Sequence, residues 1–553
     1  MNKTIKPLLR SQKLHILLFS AVIFAVTALF FVSAAQQIQA RLGSELEAVY
    51  NFDDPLYWAV GHGILNGLTP YADLFETKPP GIFWLSALSL RLTGGVYAMS
   101  IFNFCCLLVI CAVPVAAAFK VCRRKTCDLL TRILMILSAL SFGAMLMLYA
   151  QNHSGHVQIE AMGSAFVCIY LFLIFDRDAD KLKPWSPGVI LSGLFLACAG
   201  LLKEPFVLVA AGASLLFAGG IRAFIYKTVL PLLYGGIIGT AAMAATGVLK
   251  PYLTIYLKYM LSSRIGSADS PFTRMLEFKR LIVDLGEFSP LLLCMMVLFM
   301  LLVFLYMIQD FGLFLSKSRM SRLNWIGRFF ALPLAVLSAS FAVSIGGQYF
   351  CHHFVFALPL LLALFLPVLR GCVTEPVLPY KSAPAKTPFL SLKKWSRIAV
   401  ATLFVVLAFA FYIMPSMEYD DTLLHDLDTM KTHAEYVDRL LDEKGLDRYL
   451  FLGFNSGPAF IGLTEHSPLG PVFVQDPANF TGEYDWFEEN LLTELGEAEI
   501  VFLWDLNVGE LNNEVWQILN TEFMRDDAHS VSMDGNPVPG VPDGFTYITY
   551  VRK

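Results

Sequence analysis

The sequence predicts an α-helical polytopic membrane protein of about eleven transmembrane helices, followed by a small soluble α/β domain. Three observations carry that prediction. The 553-residue chain is 56% hydrophobic and 16% charged, with a mean hydropathy of +0.59, whereas soluble domains carry roughly 25% charged residues. Apolar runs long enough to span a bilayer recur as far as residue 415. From about Met417 the composition turns acidic and polar. The expected organisation is therefore a multi-span domain over residues 1–415 and a soluble domain over 416–553.

Taken in order, the basic N-terminus MNKTIKPLLRSQK precedes an apolar run from Leu14 to Ser33. Its length suits a retained first helix better than the shorter core of a cleaved signal. Further runs are centred near residues 108, 138, 167, 195, 212, 238, 299, 338, 361 and 406. Only LLKEP separates the runs near 195 and 212, which predicts a tight helical hairpin whose second arm opens at Pro205. Lysine and arginine set the topology. Lys3, Lys6, Arg10 and Lys13 put the N-terminus in the cytoplasm, and the basic segments at Lys120 to Lys125, Arg177 to Lys183, Arg222 to Lys227, Lys317 to Arg322 and Arg370 to Arg397 follow on that side. The outside loops are then residues 36–96, 149–158, the Lys203 turn, 250–289 and 346–353. An odd number of spans puts the C-terminal domain outside an integral plasma-membrane protein. The loop from Lys250 to Ser289 breaks the charge rule with six basic residues, among them Lys258, Arg264, Arg274, Lys279 and Arg280. It suits an amphipathic segment on lipid headgroups or a site for an anion. Pro376 to Pro388 reads as a proline-rich linker.

In the last domain, Asp421 to Lys444, Asp485 to Gly496 and Val508 to Asn520 read as helices. Arg448 to Gly453, Glu499 to Trp504 and Gly544 to Val551 read as strands. Strands alternating with helices suggest α/β packing. A net charge of −4 and the lack of a basic tract exclude nucleic acid as a partner. No cysteine follows Cys372, so this domain is not a disulfide scaffold. No Walker loop or GxGxxG fingerprint appears in a suitable context, which argues against a nucleotide-linked substrate.

The densest polar stretch between apolar runs is NFDDPLYWAVGHGILNGLTPYADLFETKPPGIFW, Asn51 to Trp84. Polar residues at this density are costly inside a bilayer, so the stretch belongs at its surface or in a watery cavity. Asp53 and Asp54 could supply a general base and hold a divalent cation. They could equally be helix-capping acids, because DDP is a plausible helix start. Lys78, before Pro79 and Pro80, could neutralise a departing anion or be an interfacial lysine.

The ordered set of an acidic pair (Asp53, Asp54), Tyr57, a Gly67-x-x-Pro70-Tyr71 turn, Asp73 and Lys78-Pro79-Pro80 resembles the first external loop of GT-C superfamily glycosyltransferases, which use polyprenyl-phosphate sugars. The branch it resembles includes the lipid A aminoarabinose transferases, the Rgt-type lipopolysaccharide galacturonosyltransferases and the protein O-mannosyltransferases. The resemblance implies a GT-C-like fold and transfer of a sugar from a polyprenyl-phosphate donor to an extracytoplasmic glycan, lipid or protein. It implies that Asp53 is the catalytic acid/base residue, Asp54 its companion and Lys78 a contact of the lipid-linked phosphate. In that family a carboxylate, commonly Asp, stands near the outer start of a later span, and Glu160 takes that place here. The family's lysine in a tight outer turn corresponds to Lys203. Its Tyr, then a His or Tyr-Phe pair, then a Pro, matches Tyr349, His352, His353 and Pro359 in GGQYFCHHFVFALPLL. Tyr57, Lys78, Glu160, Lys203, Tyr349, His352 and His353 thus form the implied donor and phosphate site.

Each piece also has a blander reading. Glu160 could be a snorkelled interfacial acid, Lys203 could pair locally with Glu204, and Tyr349 to His353 could belong to an aromatic belt. Adjacent helical residues point about 100° apart, so His352 and His353 are not expected to face one pocket. His153 and His156 could share a helix face and bind metal or phosphate. A transporter or flippase of lipid-linked saccharides is the competing class. It would be expected to show related halves and charges deep in its spans, whereas the charges here cluster in outside loops.

Overall fold

The computed structural model describes residues 48–50, 54–95, 97–124, 129–153, 159–265, 290–314, 319–345, 351–371, 424–453, 459–471, 486–504, 513–532 and 538–553. A short strand β1 (Ala48–Tyr50) is followed by two helices, α1 (Asp54–Leu65) and α2 (Pro80–Thr93). A bundle follows: α3 (Tyr97–Arg124), α4 (Leu129–His153), α5 (Ile159–Ile174), α6 (Pro187–Leu202), α7 (Pro205–Leu215), α8 (Ile221–Ala245), α9 (249–265), α10 (Pro290–Phe314), α11 (Arg319–Ser344) and α12 (Leu358–Gly371). A 3₁₀ turn, Cys351–Ala357, leads into α12. The apolar runs centred near 108, 138, 167, 195, 212, 238, 299, 338 and 361 each fall in one of these helices. Those near 24 and 406, and the proline-rich linker, lie outside the described residues.

Among the described residues, three helical stretches are long and apolar enough to cross a membrane: Ala98–Arg123, Ile221–Ala245 and His352–Gly371. The other bundle helices from α4 to α11, apart from α9, carry shorter apolar stretches, such as Met135–Gln151, Ile159–Ile174 and Pro187–Leu202. Phe119, Leu233, Ile237, Met300, Phe304 and Phe330 stand exposed, as suits side chains that meet lipid rather than water. Inside, small residues let backbones approach. Gly143 of α4 lies against the backbone of Cys111 on α3, and a Cβ on Gly235 of α8 would stand 3.1 Å from the Gly193 carbonyl of α6.

The predicted hairpin is present. α6 ends at Leu202, Lys203 is extended (φ −160°, ψ 121°), and Pro205 opens α7. The segment after Lys250 forms α9 over its described part, with Tyr256 and Tyr259 buried and Leu253 and Leu261 exposed beside Lys258.

The C-terminal region contains β2 (Leu424–Asp426), α13 (Leu427–Lys444), β3 (Arg448–Leu452), β4 (Ser467–Pro468), α14 (Trp486–Glu497), β5 (Ile500–Trp504), α15 (Asn513–Glu522), β6 (Phe523–Arg525) and β7 (Tyr547–Arg552). The sheet order is β4-β3-β5-β7-β6. β3 runs parallel to β4 and β5, while β7 is antiparallel to β5 and β6. Side chains alternate across it. Val501 and Leu503 join Leu491, Leu495 and Leu519 in a core under α14 and α15, while Ile500 and Phe502 face the main core.

One sequence expectation is corrected here. The helix expected from Asp421 starts at Leu427, because Leu424–Asp426 pair antiparallel with β1 in the register Ala48↔Asp426 and Tyr50↔Leu424. A pairing partner so distant in sequence leaves no local signal.

The C-terminal region also seats on the first loop. Phe75 N–H donates to the Pro471 carbonyl (2.8 Å), and its ring meets Phe487 at 5.0 Å and Trp486 at 5.7 Å. Asn66 of the loop donates to Glu465 O and Ser467 Oγ, both at 3.1 Å. His62 lies at this junction, and burial lowers its pKa, against the raising effect of the Asp438 and Glu465 charges. A base whose folded pKa is depressed gives stability that is full above its ordinary value of 6.5 and is lost as pH falls through the folded value. Acidification from pH 7.5 to pH 5 is therefore expected to lower the melting temperature of the wild type more than that of His62→Gln. Equal slopes in differential scanning fluorimetry would contradict this.

Candidate active site at the loop face of the bundle

The first loop turns twice before α2. Gly67 at φ 86° and Tyr71 at φ 68° both adopt left-handed backbone, which costs a residue with a side chain about 1–2 kcal/mol. Asp73 closes this turn: Thr69 N–H donates to its Oδ2 at 2.7 Å, and its own N–H donates to Thr69 O at 2.9 Å. Asp73 thus shapes the backbone. Tyr71 is fully buried, and its ring packs on Phe75, Phe83, Tyr252 and Tyr256. Its hydroxyl donates to the Lys78 carbonyl at 2.7 Å. Burial first, then the nearby Glu204 charge, raises the Tyr71 pKa well above its ordinary value, so this hydroxyl stays a donor.

That bond fixes the backbone of Lys78 from one side. The proline pair fixes it from the other, since a residue before proline is held extended and Pro79 (φ −64°, ψ 158°) leads into Pro80 at the start of α2. The Lys78 ammonium lies 3.6 Å from Glu76 Oε1, with its side chain 16% exposed, and 5.6 Å from the centre of the Tyr57 ring. Tyr57 is itself fully buried against Phe83 (6.2 Å). Glu76, also nearly buried, accepts from Thr77 N–H (2.7 Å) and Thr77 Oγ1 (2.9 Å). Sequence reasoning passed over Glu76, although its place two residues before Lys78 was the available signal.

A second cluster lies where α5, the α6–α7 turn and the 3₁₀ turn before α12 meet. Glu160, in the first turn of α5, has no exposed surface and is paired with Lys203, whose side chain is 16% exposed. This corrects two of the blander readings. Glu160 does not snorkel, because its carboxylate is sealed beneath the turn. Lys203 reaches across to α5 rather than to its neighbour, because its extended backbone at the end of α6 sends the side chain away from Glu204. Glu204 instead accepts from Tyr256 (2.8 Å) and Tyr252 (3.0 Å) on α9. Burial raises the Glu204 pKa, against the lowering effect of those two bonds and of Lys203.

The Lys203 ammonium also stands 5.3 Å from the centre of the Phe356 ring, which packs on Phe206 at 4.7 Å. Ser164 Oγ of α5 donates to Val355 O at 2.8 Å, anchoring the 3₁₀ turn that carries His352 and His353. The two imidazoles meet edge to face, centroids 4.5 Å apart. Each offers a ring nitrogen within 4.8 Å of the other and of a Glu160 carboxylate oxygen. The expectation that they face different pockets is therefore corrected. It considered only Cβ directions, and imidazole nitrogens lie several bonds beyond Cβ, so diverging stems still converge.

The clusters are contiguous. Tyr71 touches Tyr252 and Tyr256, these bind Glu204, and Glu204 adjoins Lys203. At the base of α2, a Cβ on Gly81 would lie 2.6 Å from Leu201 O at the end of α6, so the segments bearing Lys78 and Lys203 abut. Gly81→Ala is expected to cost about 1–3 kcal/mol from overpacking against backbone, read as a lower unfolding midpoint. An unchanged midpoint would show that the contact yields freely.

Lys78 and Tyr57 thus form one cluster, and Glu160, Lys203, His352 and His353 the other, on segments that abut. Asp54 is the first residue of α1, and helix initiation at DDP is as expected. Asp53, Tyr349 and His156 lie outside the described residues, as do Arg274, Lys279 and Arg280. Tyr71, Tyr252, Tyr256 and Glu204 connect the two clusters, and no sequence spacing announced the part of Tyr252 and Tyr256, because α9 lies some 180 residues beyond Tyr71 in the chain. Comparison with protein-family models and with curated proteins returns no match for this chain.

Proposed function

We propose that the chain is a membrane glycosyltransferase that moves a sugar from a polyprenyl-phosphate carrier to an extracytoplasmic acceptor, a cell-envelope glycan, lipid or protein. The observation that carries this reading is the cluster of Glu160, Lys203, His352 and His353, with the segment that bears Lys78 packed through Gly81 against Leu201 at the end of α6. They come from four segments distant in sequence and lie at the loop face of an apolar helical bundle, beside the helix that opens at Asp54. A lipid-linked donor needs cationic groups for its phosphate, and the Lys78 and Lys203 ammonium groups supply them.

In the proposed reaction the acceptor hydroxyl attacks C1 of the donor sugar and forms the new C–O bond. Its proton passes to the Asp53 carboxylate. The bond from C1 to the phosphate oxygen breaks, and polyprenyl phosphate leaves with the electron pair. The Lys78 and Lys203 ammonium groups offset its developing charge. Single displacement inverts the sugar carbon. Packing of the first loop on the C-terminal region supports both lying on the same, outer, side of the membrane.

Purified protein given radiolabelled polyprenyl-phosphate sugars and envelope acceptors is expected to yield a new glycoside with inverted configuration. A transporter would relocate the donor across proteoliposomes without forming one. Cysteines placed in the 66–77 loop are expected to react with an impermeant maleimide in intact cells. Reaction only after permeabilisation would overturn the topology.

A further inference from the structure

We propose that Glu160, His352 and His353 form a binding site for one first-row divalent cation, best suited to zinc. The site does not depend on the transferase reading, and its test measures metal rather than sugar transfer. Ligand atoms of all three side chains lie within 4.8 Å of one another. A tetrahedral ion about 2.0–2.1 Å from each ligand sets those atoms roughly 3.4 Å apart, so on binding each pair closes by about 1.4 Å at most (4.8 − 3.4). The donor set, two imidazoles and one carboxylate, is one zinc accepts readily, whereas calcium and magnesium prefer all-oxygen cages.

A second observation points to a ligand independently. Glu160 has no exposed surface, and while one carboxylate oxygen pairs with Lys203, its Oε2 has no hydrogen-bond partner. A buried carboxylate oxygen without a partner is costly, and a cation supplies that partner. Lys203 then plays the outer role often seen around metal ligands, holding the second oxygen and orienting the carboxylate. His352 and His353 are half-buried, whereas Glu160 has no exposed surface.

The anchoring fits this role. The 3₁₀ turn bearing the histidines is tied to α5 by Ser164 and Val355 and wedged by Phe356 on Phe206. The carboxylate and the imidazoles are therefore held on elements fixed to each other, as a metal site needs.

The full chain, purified in detergent with a tag free of histidine, is stripped with chelator and then given zinc or cobalt. The expected result is about one equivalent of zinc retained after gel filtration, together with a visible ligand-field band for cobalt. Glu160→Gln and the double variant His352→Ala/His353→Ala are each expected to weaken zinc binding about tenfold or more, since even outer-shell changes cost 10–100-fold. Where a variant does not fold, X-ray absorption on the wild type decides, with two imidazole nitrogens expected in the first coordination shell. Three results would overturn the site: negligible zinc on the wild type, unchanged binding by the folded double variant, or a zinc shell without imidazole. A wild type holding only a protonated imidazole against Glu160, without metal, would give the first of these.

Discussion

Glu160→Ala is expected to destabilise the protein by about 3 kcal/mol, the low end of the roughly 3–5 kcal/mol range for removing one partner of a buried ion pair. The carboxylate has no exposed surface and the Lys203 side chain keeps 16%, which moderates the cost of stranding its charge. What remains near the ammonium is the Phe356 ring at 5.3 Å, a weak substitute for a carboxylate, and the neighbouring Glu204, whose charge it also feels. The double variant Glu160→Gln/Lys203→Met removes both charges at similar volume and is expected to recover most of the loss, because it leaves no uncompensated buried charge. A double-mutant cycle in chelator, read by thermal unfolding, isolates the pair from any bound cation. A cost below about 1 kcal/mol, typical of exposed pairs, would mean that water reaches the carboxylate.

The other large effect concerns chemistry. Membranes carrying Asp53→Asn are expected to bind the lipid-linked donor normally and to transfer sugar about 10²–10⁴-fold more slowly, the usual contribution of a positioned general base. Asparagine keeps the shape of aspartate but does not take up the acceptor proton. Donor binding should survive because the groups assigned to the phosphate, Lys78 and Lys203, lie in other segments. Retention of full transfer would sink the base assignment. Loss of donor binding together with transfer would move Asp53 from proton acceptor to donor contact.

Much of the helical framework was legible, and the reason is physical. A span must be an apolar stretch of sufficient length, so periodicity hardly matters and composition suffices. The α6–α7 hairpin was equally plain, because Pro205 marks a helix start and two polar residues cannot continue a span. In the C-terminal region, helices and strands revealed themselves by local pattern. The strands that were missed, β1, β2, β4 and β6, are two or three residues long, too short to alternate. At the site, the charged residues were legible because charge near a bilayer is conspicuous. Their partners were not. Nothing in sequence links Lys203 to Glu160 rather than to adjacent Glu204, since the choice rests on an extended φ at one residue. Tyr71 was legible as part of a turn motif, but its bond to Lys78 O and the bonds of Tyr252 and Tyr256 to Glu204 had no signal in the sequence. The histidine pair was misjudged by reasoning from backbone angles to side-chain ends.

The ladder between Ala48–Tyr50 and Leu424–Asp426 sets a timetable for synthesis. Its two halves are separated by about 380 residues (426 − 48 = 378), which at roughly 5–20 residues per second emerge about 20–80 s apart. During that interval the approach to Asp53 has no partner strand, and the loop must wait beside the membrane while nearly the whole bundle is inserted. A chain halted anywhere before residue 424 would therefore lack the partner of its first strand, so the proposed sugar transfer is expected to arrive in one late step, with the last quarter of the protein.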